Sequence, residues 1–416
     1  MDEAHGRRVL IVVQDLPVPY DRRTWLVATT LREAGYQVSV ICPKAMGFDA
    51  AFENRRGIDI YRYPLPGNAR SALGYAFEFG WCLAMAALLS LRIQLFGRGF
   101  DTLHACNPPE TYWLLALAWR PFGKGFVFDH HDLSPEMYEA KFSRTGGLLH
   151  RWLHVLERRS FAMATTSIAC NESYRRVACG RGGMDPSRVF VVRSAPDGLA
   201  FQPTSPDPSL RRGRRHLCLY LGRLCEQDGV DRLLQAARHV VVERGRDDVA
   251  FVVVGEGPAL SALRSLAAEL GIADDCVFTG FLPATEVSAY LSTADLGVDP
   301  GPKNPWSDCS TMNKVMDYMY FACPVVGFDL AENRYTAGAA GLFVSEESPA
   351  ALGEAILELL DDPERRRTMG AEGSERVRLE LMWEHSAPHL LAAYEHHFRS
   401  LGRTRPRWAR ATHRSS

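Results

Sequence analysis

Short apolar runs of four or five residues, each closed by a turn or a polar end, recur along the chain with helical patterns between them. That alternation leaves few folds open. Strands separated by a helix pair in parallel, and strands apolar on both sides lie in a sheet covered on both faces. The first half carries VLIVV (9–13), QVSVICP (37–43), DTLHACN (101–107), GFVFDHHD (125–132), TSIACN (166–171) and RVFVVRS (188–194). The second carries HLCLYLG (216–222), VAFVVVG, VFTGF, ADLGVDP and PVVGFD. After the first of these, Leu233, Leu234, Ala237 and Val240 recur at helical spacing.

Between the halves, PDGLAFQPTSPDPSLRRGRRH (196–216) holds four prolines and little periodicity. Pro and Ser at that density disfavour helix and sheet alike. The expected organisation is therefore two βα domains, residues 1–195 and 216–380, joined by a linker at 196–215. WEHSAPHLLAAYEHHF reads as a last helix over 381–400, and the Arg-rich segment 401–416 as a disordered basic tail.

Charge and cysteine usage exclude several classes. There are 48 basic and 49 acidic residues, a net charge of −1, which argues against a nucleic-acid binder. The ten cysteines form no CxxC pair and no zinc-like cluster, so reduced thiols, no metal and a cytosolic setting are expected. MDEAHGRR leads straight into the first strand with no secretory pattern. The longest apolar run, Phe79 to Leu91, covers 13 residues. A bilayer span needs roughly 17–25, so no crossing is expected.

Open parallel sheets bind ligands at the carboxyl ends of their strands. No strand here is followed by GxGxxG, and GxxxxGK[ST] is absent, which weakens a hydride-transfer reading and excludes a P-loop. The segment NPWSDCSTMNKVMDYMYFACPVV (304–326) is more informative. Ser310 and Thr311 are good caps for a helix running from about Met312 to Phe321. Its free N–H groups, two hydroxyls and the Lys314 ammonium would suit a diphosphate. Asp317, one turn on from Asn313 and Lys314, can accept from sugar hydroxyls. The alternative is a capped helix with a surface Asp–Lys pair. Arg223, after a glycine at a strand end, either grips phosphate bidentately or is a solvated loop residue. Glu256 in GEGP either takes ribose hydroxyls or begins a Gly-Pro helix start.

In the first half, His130, His131 and Asp132 crowd one strand end, where a histidine can exchange a proton or bond a sugar hydroxyl. HACNPPETYW (104–113) also follows a strand. Asp21, Arg22 and Arg23 begin the first helix, where Asp21 is equally a plain N-cap.

These segments together resemble a family 4 retaining glycosyltransferase of the GT-B fold over nearly all of residues 8–400. The carriers are LGRLCEQDGVDRLLQAA, FVVVGEGPALSALRSLAAELG, VFTGFLPATEVSAYLSTADLGVDP and STMNKVMDYMYFACPVVGFD. VPYDRRTW, HACNPPETYW and FDHHDLSPEMYEAKF resemble a bacterial branch of cell-surface polysaccharide assembly. The resemblance implies two Rossmann-like domains facing a cleft, with a C-terminal helix crossing back to the first. It implies a nucleotide-diphosphate sugar on the second domain, an acceptor on the first, and transfer with retention and no metal. Donor contacts would then come from Gly222, Arg223, Glu256, the backbone at Phe281 and Leu282, Ser310, Thr311, Met312, Asn313, Lys314 and Asp317. His131, Asp317, Arg223 and Lys314 would act at the reacting centre. Asp21, Arg22, Asn107, Glu110, His130 and Asp132 would meet the acceptor.

Two positions depart from the family pattern. Asp228 stands where a Lys is usual, and Cys309 beside Asp308 where the first of two Glu is usual. Lys314 is the nearest replacement for the missing cation.

Residues 141–176 carry seven Lys/Arg and two acids. GGLLHRWLHVLERRSF sets Leu149, Trp152, Leu153 and Leu156 against Arg151, His154 and Arg158. This helix is expected to pack its apolar face in the core, with its basic back available to anionic lipid. The leading expectation is a cytoplasmic enzyme, peripheral on the inner membrane face, extending a lipid-linked glycan. The other readings are a nucleotide-sugar epimerase and a non-catalytic nucleotide- or glycan-binding subunit.

Overall fold

The computed structural model describes residues 6–67, 72–142, 145–196, 198 and 201–404. They divide into two compact units. The first comprises the chain to Glu139, Arg144–Arg193 and everything from Trp383; the second comprises Ala140–Ser143 and Ser194–Met382.

The first unit holds strands β1 (Arg8–Val12), β2 (Gln37–Pro43), β3 (Phe52–Arg55), β4 (Ile58–Tyr63), β5 (Thr102–Cys106), β6 (Gly125–His130), β7 (Thr166–Ala169) and β8 (Val189–Val191). Their order in the sheet is β3-β4-β2-β1-β5-β6-β7-β8, parallel except for the β3–β4 hairpin. That hairpin was not legible as strands. β3 is a charged, mostly exposed edge, and it turns through Arg56 and Gly57, both at positive φ.

Its helices are α1 (Arg22–Glu33), α2 (Ala72–Phe96), α3 (Tyr112–Trp119), α4 (Ser134–Phe142, whose end falls in the second unit), α5 (Leu148–Met163) and α6 (Glu172–Cys179). Right-handed crossovers put α1 on one face of the sheet and α2, α3 and α5 on the other. Packing agrees, since α3 sits against both α2 and α5.

The second unit holds β9 (His216–Leu221), β10 (Val249–Val254), β11 (Cys276–Gly280), β12 (Leu296–Asp299), β13 (Val325–Phe328) and β14 (Gly341–Val344), ordered β11-β10-β9-β12-β13-β14, all parallel. The sequence pattern missed β14, an edge strand only half-buried throughout. The helices are α7 (Val230–Arg238), α8 (Leu260–Glu269), α9 (Ala284–Thr293), α10 (Pro305–Cys309), α11 (Asn313–Tyr320), α12 (Ala331–Ala337), α13 (Pro349–Asp361) and α14 (Pro363–Arg376). Residues 201–211 are tied to α9 rather than loose: backbone N–H groups of Gln202, Thr204 and Asp207 donate to Ser288, Ser292 and Thr293.

The last helix, α15 (Trp383–Thr404), completes the core of the first unit. Leu390, Ala393 and Tyr394 join Val9, Ile11 and Val38 in one buried cluster. The Tyr394 hydroxyl lies 2.8 Å from His104 Nδ1, and His397 Nε2 lies 2.9 Å from Thr102 Oγ1. Residues 401–404 are thus its final turn, while the rest of the expected basic tail lies outside the described residues.

Two expectations about helices are corrected. α5 does not bury its apolar face: Leu149 and Trp152 are exposed, whereas Glu157, Ser160 and Phe161 point inward. The inward groups have polar work, Glu157 accepting from Arg181 and Ser160 Oγ donating to the Glu110 carbonyl at 3.1 Å. Phe77–Phe96 within α2 is also long and apolar enough to cross a membrane, because the apolar run continues past Arg92 to Phe96.

Candidate functional site

In the second unit the strand order reverses between β9 and β12, the place where doubly wound sheets open a ligand crevice. The two strands stay paired only at Cys218–Leu296 and Leu219–Gly297. Beyond that they part, and Tyr318 of α11 fills the opening. Its hydroxyl accepts from Leu221 N at 2.8 Å and reaches the Val298 carbonyl at 3.4 Å. Gly297 makes room, since a Cβ there would lie 2.2 Å from the Tyr318 ring.

The loop after β9 is pinned from the neighbouring strand end. Gly222 N donates to Val254 O (3.0 Å), Leu224 N to Glu256 O (2.9 Å) and Ala259 N to Leu224 O (3.0 Å). A Cβ on Gly255 would stand 1.8 Å from the Gly222 carbonyl oxygen, so only glycine permits this approach. The Tyr220 hydroxyl donates to the Arg223 carbonyl at 2.8 Å. The Arg223 side chain is left exposed.

Lys314, in the first turn of α11, reaches this same loop. Its Nζ lies 3.3 Å from Asp299 Oδ1, 3.3 Å from the Tyr220 hydroxyl and 4.4 Å from the Tyr220 ring centroid. Asp299 is buried at the end of β12, its other oxygen accepting from Asn333 Nδ2 at 2.6 Å. Burial alone would lower the Lys314 ammonium, but Tyr220, Asp299 and Asp228 hold it well above its ordinary value. Burial raises the Asp228 carboxyl, with Lys314 opposing it. Asp228 also caps its turn, accepting from Cys225 N at 3.0 Å. The acid standing at the family's usual Lys position therefore faces a lysine delivered from α11.

Ser310 and Thr311 do not cap that helix. It begins at Asn313 after Met312, with no side-chain cap, and Ser310 instead donates to the Trp306 carbonyl at 2.7 Å. The proline-led α10 takes the preceding residues, capped by Asn304, which moves the start of the next helix downstream. Asn313 is exposed and Asp317 buried one turn on. At the ends of β10 and β11, Glu256 and Phe281 are both exposed, Leu282 packs on the core, and Gly255 N donates to Gly280 O at 3.0 Å. Gly222, Arg223, Lys314, Glu256, Phe281 and Leu282 thus share one carboxyl edge. Tyr220, Asp299 and Asn333 were not anticipated. The signal for Asp299 was present: a charge at the end of an otherwise apolar run.

In the first unit, the grouping near β6 is a network around buried Asp129. Arg23 Nη2 donates to its Oδ1 at 2.9 Å, while His131 Nε2 and His104 Nε2 lie 2.9 and 3.3 Å from its Oδ2. Burial would raise the Asp129 carboxyl, but Arg23 and His131 hold it well below the usual range. His131 Nε2 is also 3.0 Å from Arg23 Nε. Arg23 Nε donates to it, so in the neutral ring Nε2 is the acceptor and the proton sits on Nδ1.

Several acceptor-side expectations are corrected here. His130 is a core histidine, ringed by Phe128, Phe161 and Tyr174, and burial pushes its pKa down to about 3. Asn107 and Glu110 are buried braces. Asn107 Oδ1 accepts from His131 N at 2.6 Å, and its amide donates to Glu110 and to the Asp132 carbonyl. Burial raises the Glu110 carboxyl against bonds from Ser134 and Asn107. Asp21 caps α1, accepting from Thr24 N at 3.0 Å. Arg22 and Asp132 are half-buried. Arg23, rather than Arg22, enters the network. The α1 period marks it, since Arg23, Val27 and Leu31 form the buried face.

Comparison with known proteins agrees with this architecture. Residues 20–195 match the family described as glycosyl transferase 4-like domain, and residues 215–362 the family described as glycosyl transferases group 1. A GDP-mannose-dependent alpha-(1-6)-phosphatidylinositol monomannoside mannosyltransferase of Mycobacterium tuberculosis is 30% identical over 209 residues, 45% of this chain and 52% of that protein. An alpha-maltose-1-phosphate synthase of Mycolicibacterium smegmatis is 28% identical over 296 residues, 66% of this chain and 73% of that protein. The match thus spans about half the length of the mannosyltransferase. Among solved structures, sucrose-phosphate synthase from Thermosynechococcus elongatus superposes with a TM-score of 0.74 at 17% identity, covering 95% of this chain and 100% of that one. Anabaena HepE in complex with UDP-glucose gives 0.70 at 15% identity, covering 93% and 99%. The chain belongs to the family 4, group 1 glycosyltransferases of the GT-B fold.

Proposed function

We propose that this chain transfers a sugar, hexosyl or N-acetylhexosaminyl, from a nucleotide-diphosphate donor to a growing, lipid-linked cell-surface glycan, with retention and without a metal. The observation that carries the reading is the Lys314 ammonium, held charged against Tyr220 and Asp299 beside the Gly222–Arg223 loop. A leaving diphosphate accumulates negative charge as the glycosidic bond breaks. Fixed cations and backbone N–H groups that need not reorganise stabilise that charge most. Lys314 and Arg223 supply it, with the start of α11 near Met312 and Asn313 contributing dipole and N–H groups.

Glu256 takes the ribose hydroxyls, and the backbone at Phe281 and Leu282 reads the base. Asp317 contributes to donor-sugar binding. His131, held by Arg23, presents its Nδ1–H to a sugar hydroxyl near the reacting carbon. Asn107 and Glu110 act one step back, fixing the His131–Asp132 backbone. The protein works in the cytoplasm at the inner face of the membrane, within a bacterial surface-polysaccharide pathway.

The epimerase and non-catalytic readings are less favoured. Both family matches describe glycosyltransferases, and Asp228 does not leave the loop without a cation, because Lys314 reaches it. A donor panel incubated with cell membranes and read by mass spectrometry tests the proposal. Sugar transfer to membrane glycan supports it; donor epimerisation without acceptor, or binding of UDP or GDP with no turnover of any donor, refutes it.

A further inference from the structure

The outer surface of the α2–α3–α5 layer has a composition a water-facing surface does not need. Thirteen of the twenty-one large apolar side chains exposed among the described residues belong to α2, α5, or α3 and the turn after it. On α2 the division is sharp. Cys82, Ala86, Ser90 and Ile93 face inward, at helical spacing, while Trp81, Leu88, Leu91, Leu95 and Phe96 face outward. Phe96 is 85% exposed. On α5, Leu148, Trp152 and Val155 continue the same character one layer position away. Contiguous exposed apolar area of this extent marks an interaction surface.

Charge identifies the partner. Arg92, Arg120, Arg151, Arg158 and Arg159 are exposed on these elements, and none takes part in an ion pair among the described residues. The acids there are Glu78, half-buried, and Glu157, buried against Arg181. A second copy of this chain would bring like charges together, whereas anionic lipid headgroups would meet arginines while the apolar side chains enter the acyl boundary. The tryptophans suit that depth, apolar in body and polar at one edge.

We propose that this face rests on an anionic lipid surface, with α2 lying along it. The inward residues of α2 are committed to the unit, Ser90 Oγ accepting from Trp119 Nε1 at 3.0 Å, so the helix lies on the bilayer instead of crossing it. This names the membrane contact within the proposed function. Its evidence is separate, and so is its test.

The test is sedimentation of the full chain with vesicles, with no donor or acceptor present. Vesicles of phosphatidylcholine alone are compared with a two-to-one mixture of phosphatidylcholine and phosphatidylglycerol. The chain binds the mixed vesicles at least about tenfold more tightly, and binding weakens as salt rises. The Leu88→Glu/Leu95→Glu variant loses about tenfold or more, and the triple Arg151→Gln/Arg158→Gln/Arg159→Gln variant loses the salt dependence. The arginine variant alters exposed groups only and stands as the test if the leucine variant fails to fold. Equal binding to both vesicle types, or unchanged binding by the arginine variant, overturns the proposal. So does a wild-type dimer that the leucine variant splits, which would make the partner a second copy. Retention on vesicles after alkaline carbonate washing would show a spanning helix and overturn it too.

Discussion

Lys314 and Asp299 form an ion pair at 3.3 Å, joining the first turn of α11 to the end of β12 at the point where the second sheet reverses its strand order. Asp299 is nearly inaccessible and Lys314 mostly so, at 1% and 11% side-chain exposure. Under the proposed function the pair ties catalysis to stability in one place, and the two are separable by mutation. Lys314→Ala should remove the proposed charge-assisted bond to diphosphate, worth about 1.5–3 kcal/mol, or roughly 10–150-fold in turnover. It also strands a buried carboxylate, costing ~3–5 kcal/mol of stability. Adding Asp299→Asn to Lys314→Met should return most of the stability and none of the turnover. Thermal melts alongside donor-hydrolysis rates check this; recovered turnover in the double variant would remove Lys314 from the diphosphate site.

Arg223 is the opposite case. Its side chain is exposed, and its carbonyl accepts from the Tyr220 hydroxyl. Arg223→Ala should slow turnover by about tenfold or more while moving stability by no more than ~0.5 kcal/mol. Steady-state kinetics with a melting curve on the same sample decides it. A rate equal to that of the unmodified protein leaves Arg223 as a solvated loop residue.

Gly255 tests the loop geometry itself. A Cβ placed 1.8 Å from the Gly222 oxygen must push the 222–225 loop away from its neighbour. Gly255→Ala should cost ~2–4 kcal/mol of stability and weaken UDP and GDP binding together, by roughly tenfold or more. Calorimetric titration of both nucleotides measures this. An alanine variant with intact binding would show that the loop position does not matter to the donor.

The first unit should be acid-sensitive. Burial pushes His130 down to about 3, and burial with His396 and His104 pushes His397 down to about 3. Both are depressed relative to an unfolded histidine near 6.5. Below that value the unfolded chain takes up protons that the folded chain refuses, so stability is present above about pH 6.5 and is lost as pH falls toward 3. Asp129, also depressed, adds a loss only below about pH 4. Denaturant midpoints between pH 7.5 and 5 should therefore fall, with a slope approaching two protons. His130→Phe, surrounded by Phe128 and Phe161, should halve that slope; an unchanged slope rejects this origin.

Much of this was legible in the sequence where burial dictates residue type. Fully buried strands such as Val249–Val254 announce themselves as unbroken apolar runs, and so does the reversal of periodicity between strand and helix. Edge strands were not legible, because β3 and β14 carry too little buried surface to constrain their composition. Within the candidate site, motif position singled out Lys314, Arg223 and His131 but could not assign partners. Whether His130 or His131 turns toward Asp129 depends on strand pleat, which alternates by one residue. Likewise Arg22 and Arg23 differ only in helix azimuth, and the apolar period of α1 selects the second. Exposure of Trp152 could not be foreseen, since the amphipathic pattern of α5 is equally that of a helix facing a core.

The return of α15 to the first unit sets an order of assembly during translation. Tyr394 and Phe398 are made after the whole of Ser194–Met382, yet they sit in the same cluster as Val9 and Ile11, which are made before it. The unit begun earliest is consequently finished latest, while Ser194–Met382 has every segment of its own sheet available beforehand. A nascent chain of this protein carries a complete second unit on an unfinished first one until α15 emerges.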